Sequence, residues 1–64
     1  MTEKELLYLE DGVSHEDIII SICEDIKDNL EDEDLKDFIT TEIDTHNSIK
    51  EGLINLLEVK ANEW

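Results

Sequence analysis

The stretch DLKDFITTEIDTHNSIKEGLINLL, residues 34–57, decides the fold of this chain. Its apolar residues Leu35, Phe38, Ile39, Ile43, Ile49, Leu53, Leu56 and Leu57 return at intervals that place them along one side of an α-helix. No proline interrupts the run, and either Asp32 or Asp34 can cap its start by accepting a hydrogen bond from an amide of the first turn. The spacing predicts a helix over about 35–60, with Trp64 extending the stripe. Ile43, Ile54 and Ala61 flank the central row, so the apolar side is broad enough to offer a second packing surface.

Working toward the N-terminus, Ile18, Ile19, Ile22, Cys23, Ile26 and Leu30 fall on one helical face, opposite Asp17, Ser21, Glu24 and Asp28. This predicts a helix over about 15–30, capped by Ser14 and carrying Glu16 and Asp17 at the positive end of its dipole. The acidic run Glu31-Asp32-Glu33-Asp34 then reads as the turn into the long helix. Thr2 and Glu5 have the spacing of a capping box, and Leu6, Leu7 and Leu9 follow before Asp11-Gly12, which predicts a short first helix over about 3–10 acting as a lid or docking segment. The expected fold is therefore all-α: a single domain, residues 1–64, with a short N-terminal helix and a long antiparallel αα-hairpin.

Such a hairpin cannot bury its own stripe. Domains of this size bury only about 60% of the surface their unfolded chains expose, and the usual remedies are disulfides, metal or self-association. Cys23 is the only cysteine, which excludes an intramolecular disulfide, and its place at the edge of an apolar face reads as a packing thiol. The expected closure is a homodimer of hairpins forming a four-helix bundle, with Ile19, Ile22, Ile26, Phe38, Ile49, Leu53 and Leu56 in its core. The lone thiol, the lack of a stretch that reads as a signal peptide and the lack of an apolar run of membrane-spanning length point to the cytoplasm.

Charge narrows the partners. Nineteen acidic residues against five lysines give a formal net charge of −14, and there is no arginine. Direct binding to nucleic acid or to an anionic membrane is excluded by repulsion and by the absence of a guanidinium fork for phosphate. A hydrophobic share of 39% argues for a folded acidic surface rather than a disordered acidic chain. Asp37, Asp44, Glu51 and Glu58 recur every seven residues, one ordered row along the long helix, and Asp17, Glu24 and Asp28 add to it from the helix before. Such rows either keep a small bundle soluble or imitate the charge of a duplex backbone toward a basic, nucleic-acid-binding partner.

Glu42 and His46 stand apart because they lie within the apolar stripe, one turn from each other. One reading is a hydrogen-bonded pair that fixes helix register, within a chain or across a dimer axis; another is a solvated position at the rim of the dimer. A third is a metal site, since carboxylates and imidazoles on facing helices hold iron, manganese or zinc inside bundles. Residues 34–57, with an acid before a histidine and a leucine-rich end, resemble one helix of a ferritin-like protein, and the hairpin as a whole resembles the small spore-coat F-type proteins. That resemblance implies metal bound at Glu42 and His46. The chain departs from the ferritin-like Glu-x-x-His pattern, reading Glu42-Ile43-Asp44-Thr45-His46, and the nearest second glutamate, Glu24, falls on the wrong face.

No nucleophile is paired with a base, and Ser14, Ser21 and Ser48 read as a cap and two exposed positions, so the chain is not expected to be an enzyme and needs no cofactor outside the ferritin-like alternative. Gly52 aligns with Thr41, Thr45 and Ser48 as a row of small residues beside which another helix can approach. The expected function is that of an acidic protein-binding or regulatory module, an inhibitor that imitates nucleic-acid charge, acting as a homodimer.

Overall fold

The computed structural model describes residues 1–63, which form two α-helices, α1 (Glu3–Asp28) and α2 (Glu33–Asn62), folded back on each other as a hairpin. Each helix starts on a side-chain cap. The Thr2 hydroxyl accepts from the Glu5 amide at 3.1 Å while the Thr2 amide donates to the Glu5 carboxylate at 2.7 Å, a complete capping box. Asp32 caps α2 by accepting from the Leu35 amide at 3.0 Å. Asn29 closes α1, its side-chain amide donating to the Asp25 carbonyl at 2.7 Å. The turn thus spans residues 29–32, slightly earlier than the acidic run suggested, because Asp32 is already spent as the cap of α2.

α1 does not break at Gly12. The expected helices over 3–10 and 15–30 are one helix of 26 residues, and Ser14 is an exposed position within it rather than a cap. A glycine inside a helix costs about 1 kcal/mol relative to alanine, and packing offsets that cost here. Gly12 keeps a helical backbone and lies against α2 so closely that a β-carbon on it would stand 3.3 Å from the Leu53 methyl Cδ1.

The helices meet along a seam of matched heptads. The part-buried positions of α1 include Leu6, Leu9, Val13, Glu16, Ile20, Cys23 and Lys27; those of α2 include Lys36, Ile39, Ile43, His46, Lys50, Leu53, Leu57 and Lys60. Alternating steps of three and four are the spacing of a coiled-coil seam. The contacts of Glu16 with His46, Asp17 with Lys50 and Gly12 with Leu53 set the antiparallel register.

This seam leaves the broadest apolar surface outside it. None of the described residues is fully buried, and Ile18, Ile22 and Ile26 of α1 and Leu35, Phe38, Ile49, Leu56 and Val59 of α2 stand exposed. The molecule is a rod of 48 × 15 × 10 Å exposing 4818 Å². A compact monomer of 7.4 kDa is expected to expose about 4,200 Å². All described residues are helix, cap or turn, and no helix among them is long and apolar enough to cross a membrane. Trp64, placed on the apolar stripe by the sequence pattern, lies outside the described residues.

Candidate functional site

The heptad register sorts the surface into two opposed faces. Beside the seam on one flank lie Tyr8, Ile19, Ile22 and Ile26 of α1 and Leu35, Phe38, Ile49, Leu56 and Val59 of α2. Like flanks of two antiparallel helices fall on the same side of the pair, and a cleft lined jointly by Glu5 and Tyr8 of α1 and Leu56 of α2 bears this out. On the other flank lie Asp17, Glu24 and Asp28 of α1 with Asp37, Asp44, Glu51 and Glu58 of α2, all exposed. The hairpin therefore gathers the acidic residues singled out in the sequence onto one face and most of the exposed apolar residues onto the opposite one, with Leu7 on the acidic flank and Ile18 on the side away from the seam.

Of the residues expected in a dimer core, Ile22, Ile26, Phe38, Ile49 and Leu56 are exposed on the apolar face, and Phe38 is 61% exposed. Ile19 is part-buried at its inner edge, and Leu53 is taken up by the seam against Gly12. The apolar residues of α1 do not form the single stripe facing α2 that their spacing predicts. They form two adjacent stripes, of which Ile20 and Cys23 belong to the seam and Ile18, Ile22 and Ile26 do not.

The polar pair inside the hairpin is not Glu42 with His46. His46 Nδ1 lies 2.5 Å from Glu16 Oε2, the two side chains being 23% and 14% exposed. A carboxylate only accepts, so the contact takes Nδ1–H of the ring as its donor. The observed register brings an acid of α1, Glu16, to His46, where the sequence pattern offered only Glu42 on the same helix. Glu16 and His46 occupy equivalent seam positions on the two helices, and that shared heptad position was the signal available in the sequence. A second cross-helix contact joins Lys50 Nζ to Asp17 Oδ1 at 2.5 Å. Glu42, freed from His46, sits part-buried among the residues of the apolar face.

These residues do not fit a ferritin-like metal centre within one chain. Such a centre needs several carboxylates and imidazoles converging on one point. Among the described residues no group of three or more His, Cys, Asp or Glu is gathered closely enough to hold an ion. His46 is engaged by Glu16, and Glu24, the nearest candidate for a further ligand, lies on the acidic face.

At the open end of the hairpin, the cleft of about 430 Å³ on the apolar face is walled by Met1, Glu5, Tyr8, Leu9, Leu56 and Lys60. The Thr2 amide, and after it the Thr2 hydroxyl, hold the Glu5 carboxyl below the usual glutamate range, so the rim of the cleft carries this carboxylate as well as the Lys60 ammonium. Its walls are otherwise mainly hydrocarbon, suited to an apolar side chain.

No protein-family model matches this chain, and no curated protein or solved structure shows significant similarity to it.

Proposed function

We propose that this protein is a non-enzymatic acidic module that works as a homodimer and binds the basic surface of another protein, imitating nucleic-acid charge. The observation that carries the reading is the division of one hairpin into an apolar face and an opposed acidic face with no fully buried residue between them among the described residues. Apolar patches of this size on small soluble proteins mark association surfaces. Pairing two hairpins through that face makes a four-helix bundle with an interior and leaves the acidic faces outermost on both sides.

The charge density suits the imitation. A formal charge of −14 along a body 48 Å long is about one negative charge per 3.4 Å. Two copies side by side double this to about one per 1.7 Å, the density of duplex DNA. Successive members of the row Asp37, Asp44, Glu51 and Glu58 stand about 10.5 Å apart at the helical rise, on a rigid support that a flexible acidic tail lacks. A basic groove shaped for a phosphate backbone meets a preordered row, and association is steered at long range and weakened by salt.

The test is capture of basic DNA-binding proteins on the immobilised module, with duplex DNA as competitor. Duplex DNA should displace the captured protein, and replacing Asp37, Asp44, Glu51 and Glu58 together by lysine should abolish capture while the circular dichroism of the hairpin is retained. A captured partner that withstands both the reversal and the competitor would sink the charge-driven reading. The metal-binding alternative rests on Glu42 and His46 and needs ligands from a second copy. A native mass spectrum before and after adding iron, manganese or zinc tests it, with Glu42→Leu and His46→Leu as controls.

A further inference from the structure

We infer that the two copies pair with their turns at opposite ends, each seating its Phe38 in the open-end cleft of the other; the inference rests on the homodimer proposed above. Exposed area first shows that a second copy is a sufficient occupant of the apolar face. The side chains on that face are each about half exposed, which leaves on the order of 800 Å² per copy, and a standard stable interface takes about 800 Å² from each partner.

A face that packs on itself can do so about a two-fold axis running along the helices or across them. The first sets the turns together, the second sets them apart. An axis across the helices at the level of Asn47 pairs α2 with α2 of the partner, and residue 38 falls opposite residue 56. Phe38, 61% exposed near the turn end, is then carried to the wall of the cleft formed by Leu56 of the partner subunit. The cleft, at about 430 Å³, accommodates a phenyl ring. One operation fills both clefts and covers both phenyl rings.

Glu42 discriminates between the axes. With the turns together, α2 lies against α1 of the partner at the same level, and Glu42 is enclosed by isoleucines 19, 22 and 26. A carboxylate buried there without a partner is strongly disfavoured. With the turns apart, Glu42 comes opposite Gly52 of the partner subunit. Nothing stands within 4 Å of where a Gly52 β-carbon would be, so the carboxylate meets an open notch with room for water. The charge on the apolar face and the gap in it are placed to meet.

Spin labels separate the alternatives without touching the interface. In a Cys23→Ser background, a cysteine replaces Glu31 in the turn or, in a second variant, Asn47 at the level of the axis. Sedimentation gives the subunit count, and dipolar electron paramagnetic resonance gives the label separation. The expected result is a dimer with Glu31 labels about 40 Å or more apart, as opposite ends of a 48 Å body require, and Asn47 labels within about 30 Å, as two outward-pointing labels on helix axes 8–10 Å apart allow. Phe38→Ala should raise the dimer dissociation constant about 100-fold or more. A dimer with Glu31 labels within about 20 Å overturns the orientation and leaves the homodimer standing. A folded monomer without dipolar coupling overturns the homodimer itself, and the orientation with it.

Discussion

Replacing either member of the Glu16–His46 pair should cost more than replacing both. The two side chains meet at 2.5 Å within the seam and are 14% and 23% exposed, so each depends on the other for its polar contact. A hydrogen bond to a charged group contributes about 1.5–3 kcal/mol, and breaking a fully buried ion pair costs about 3–5 kcal/mol. The residual exposure of this pair places it at the lower end, about 2 kcal/mol for His46→Leu or Glu16→Leu alone. For a domain this small, that corresponds to a fall in Tm of roughly 10 °C. The double variant puts leucine at two equivalent seam positions between apolar neighbours and should return to within about 1 kcal/mol of the natural protein or exceed it. Urea unfolding followed by helical circular dichroism, at one fixed protein concentration because association shifts apparent stability, measures the four corners of the cycle. A coupling below about 0.5 kcal/mol would refute the pairing. So would a Glu42→Ala variant as unstable as Glu16→Ala, since that would return His46 to its neighbour on the same helix.

Two further predictions concern α1. Gly12→Ala should stabilise the protein by up to about 1 kcal/mol, the helix-propensity gain, because the Leu53 methyl at 3.3 Å ends a flexible side chain and can move aside; net destabilisation in the same unfolding assay would show that this methyl cannot yield. The second concerns acid. Because the folded-state pKa of Glu5 is depressed by its bonds to Thr2, the stability it confers is present above the unfolded-state value and is lost as pH falls through the lower folded-state value. The protection of the first-turn amides of α1, taken as the ratio of intrinsic to observed exchange rate at each pH, should fall across that window, and Glu5→Gln should flatten the change; an acid profile left unaltered by that substitution would assign the loss of protection to something other than the cap.

The chemistry that starts the two helices was readable without coordinates because it is local. Thr2 with Glu5, and Asp32 before Leu35, carry their own hydrogen-bonding partners within three residues. The break expected at Asp11-Gly12 failed for the opposite reason. Local propensity disfavours glycine in a helix, but the heptad running through Leu9, Val13 and Glu16 continues across it, and close packing on Leu53 outweighs the local cost. The partner of His46 is hidden as long as the apolar residues of α1 are treated as one stripe. Once the seam is assigned to Leu9, Val13, Glu16, Ile20 and Cys23, Glu16 turns inward to His46, and the isoleucines at 18, 22 and 26 turn outward.

What the sequence determined by itself was the helical class, the antiparallel return at the turn, the cap of Thr2, an acidic cap at Asp32 or Asp34, and the excess of negative charge along the helices. These follow from periodicity, capping chemistry and composition, each of which acts over a few residues or over none in particular. Only the tertiary structure decided which of two adjacent apolar stripes each helix turns toward its neighbour, and hence that Glu16 meets His46 and that Phe38, Leu56, Ile22 and Ile26 stand on a common open face. A helix with two apolar flanks satisfies the same periodicity whichever flank is covered. The choice is made by the register between helices, set by contacts such as Gly12 with Leu53 and Asp17 with Lys50 between residues far apart in the chain.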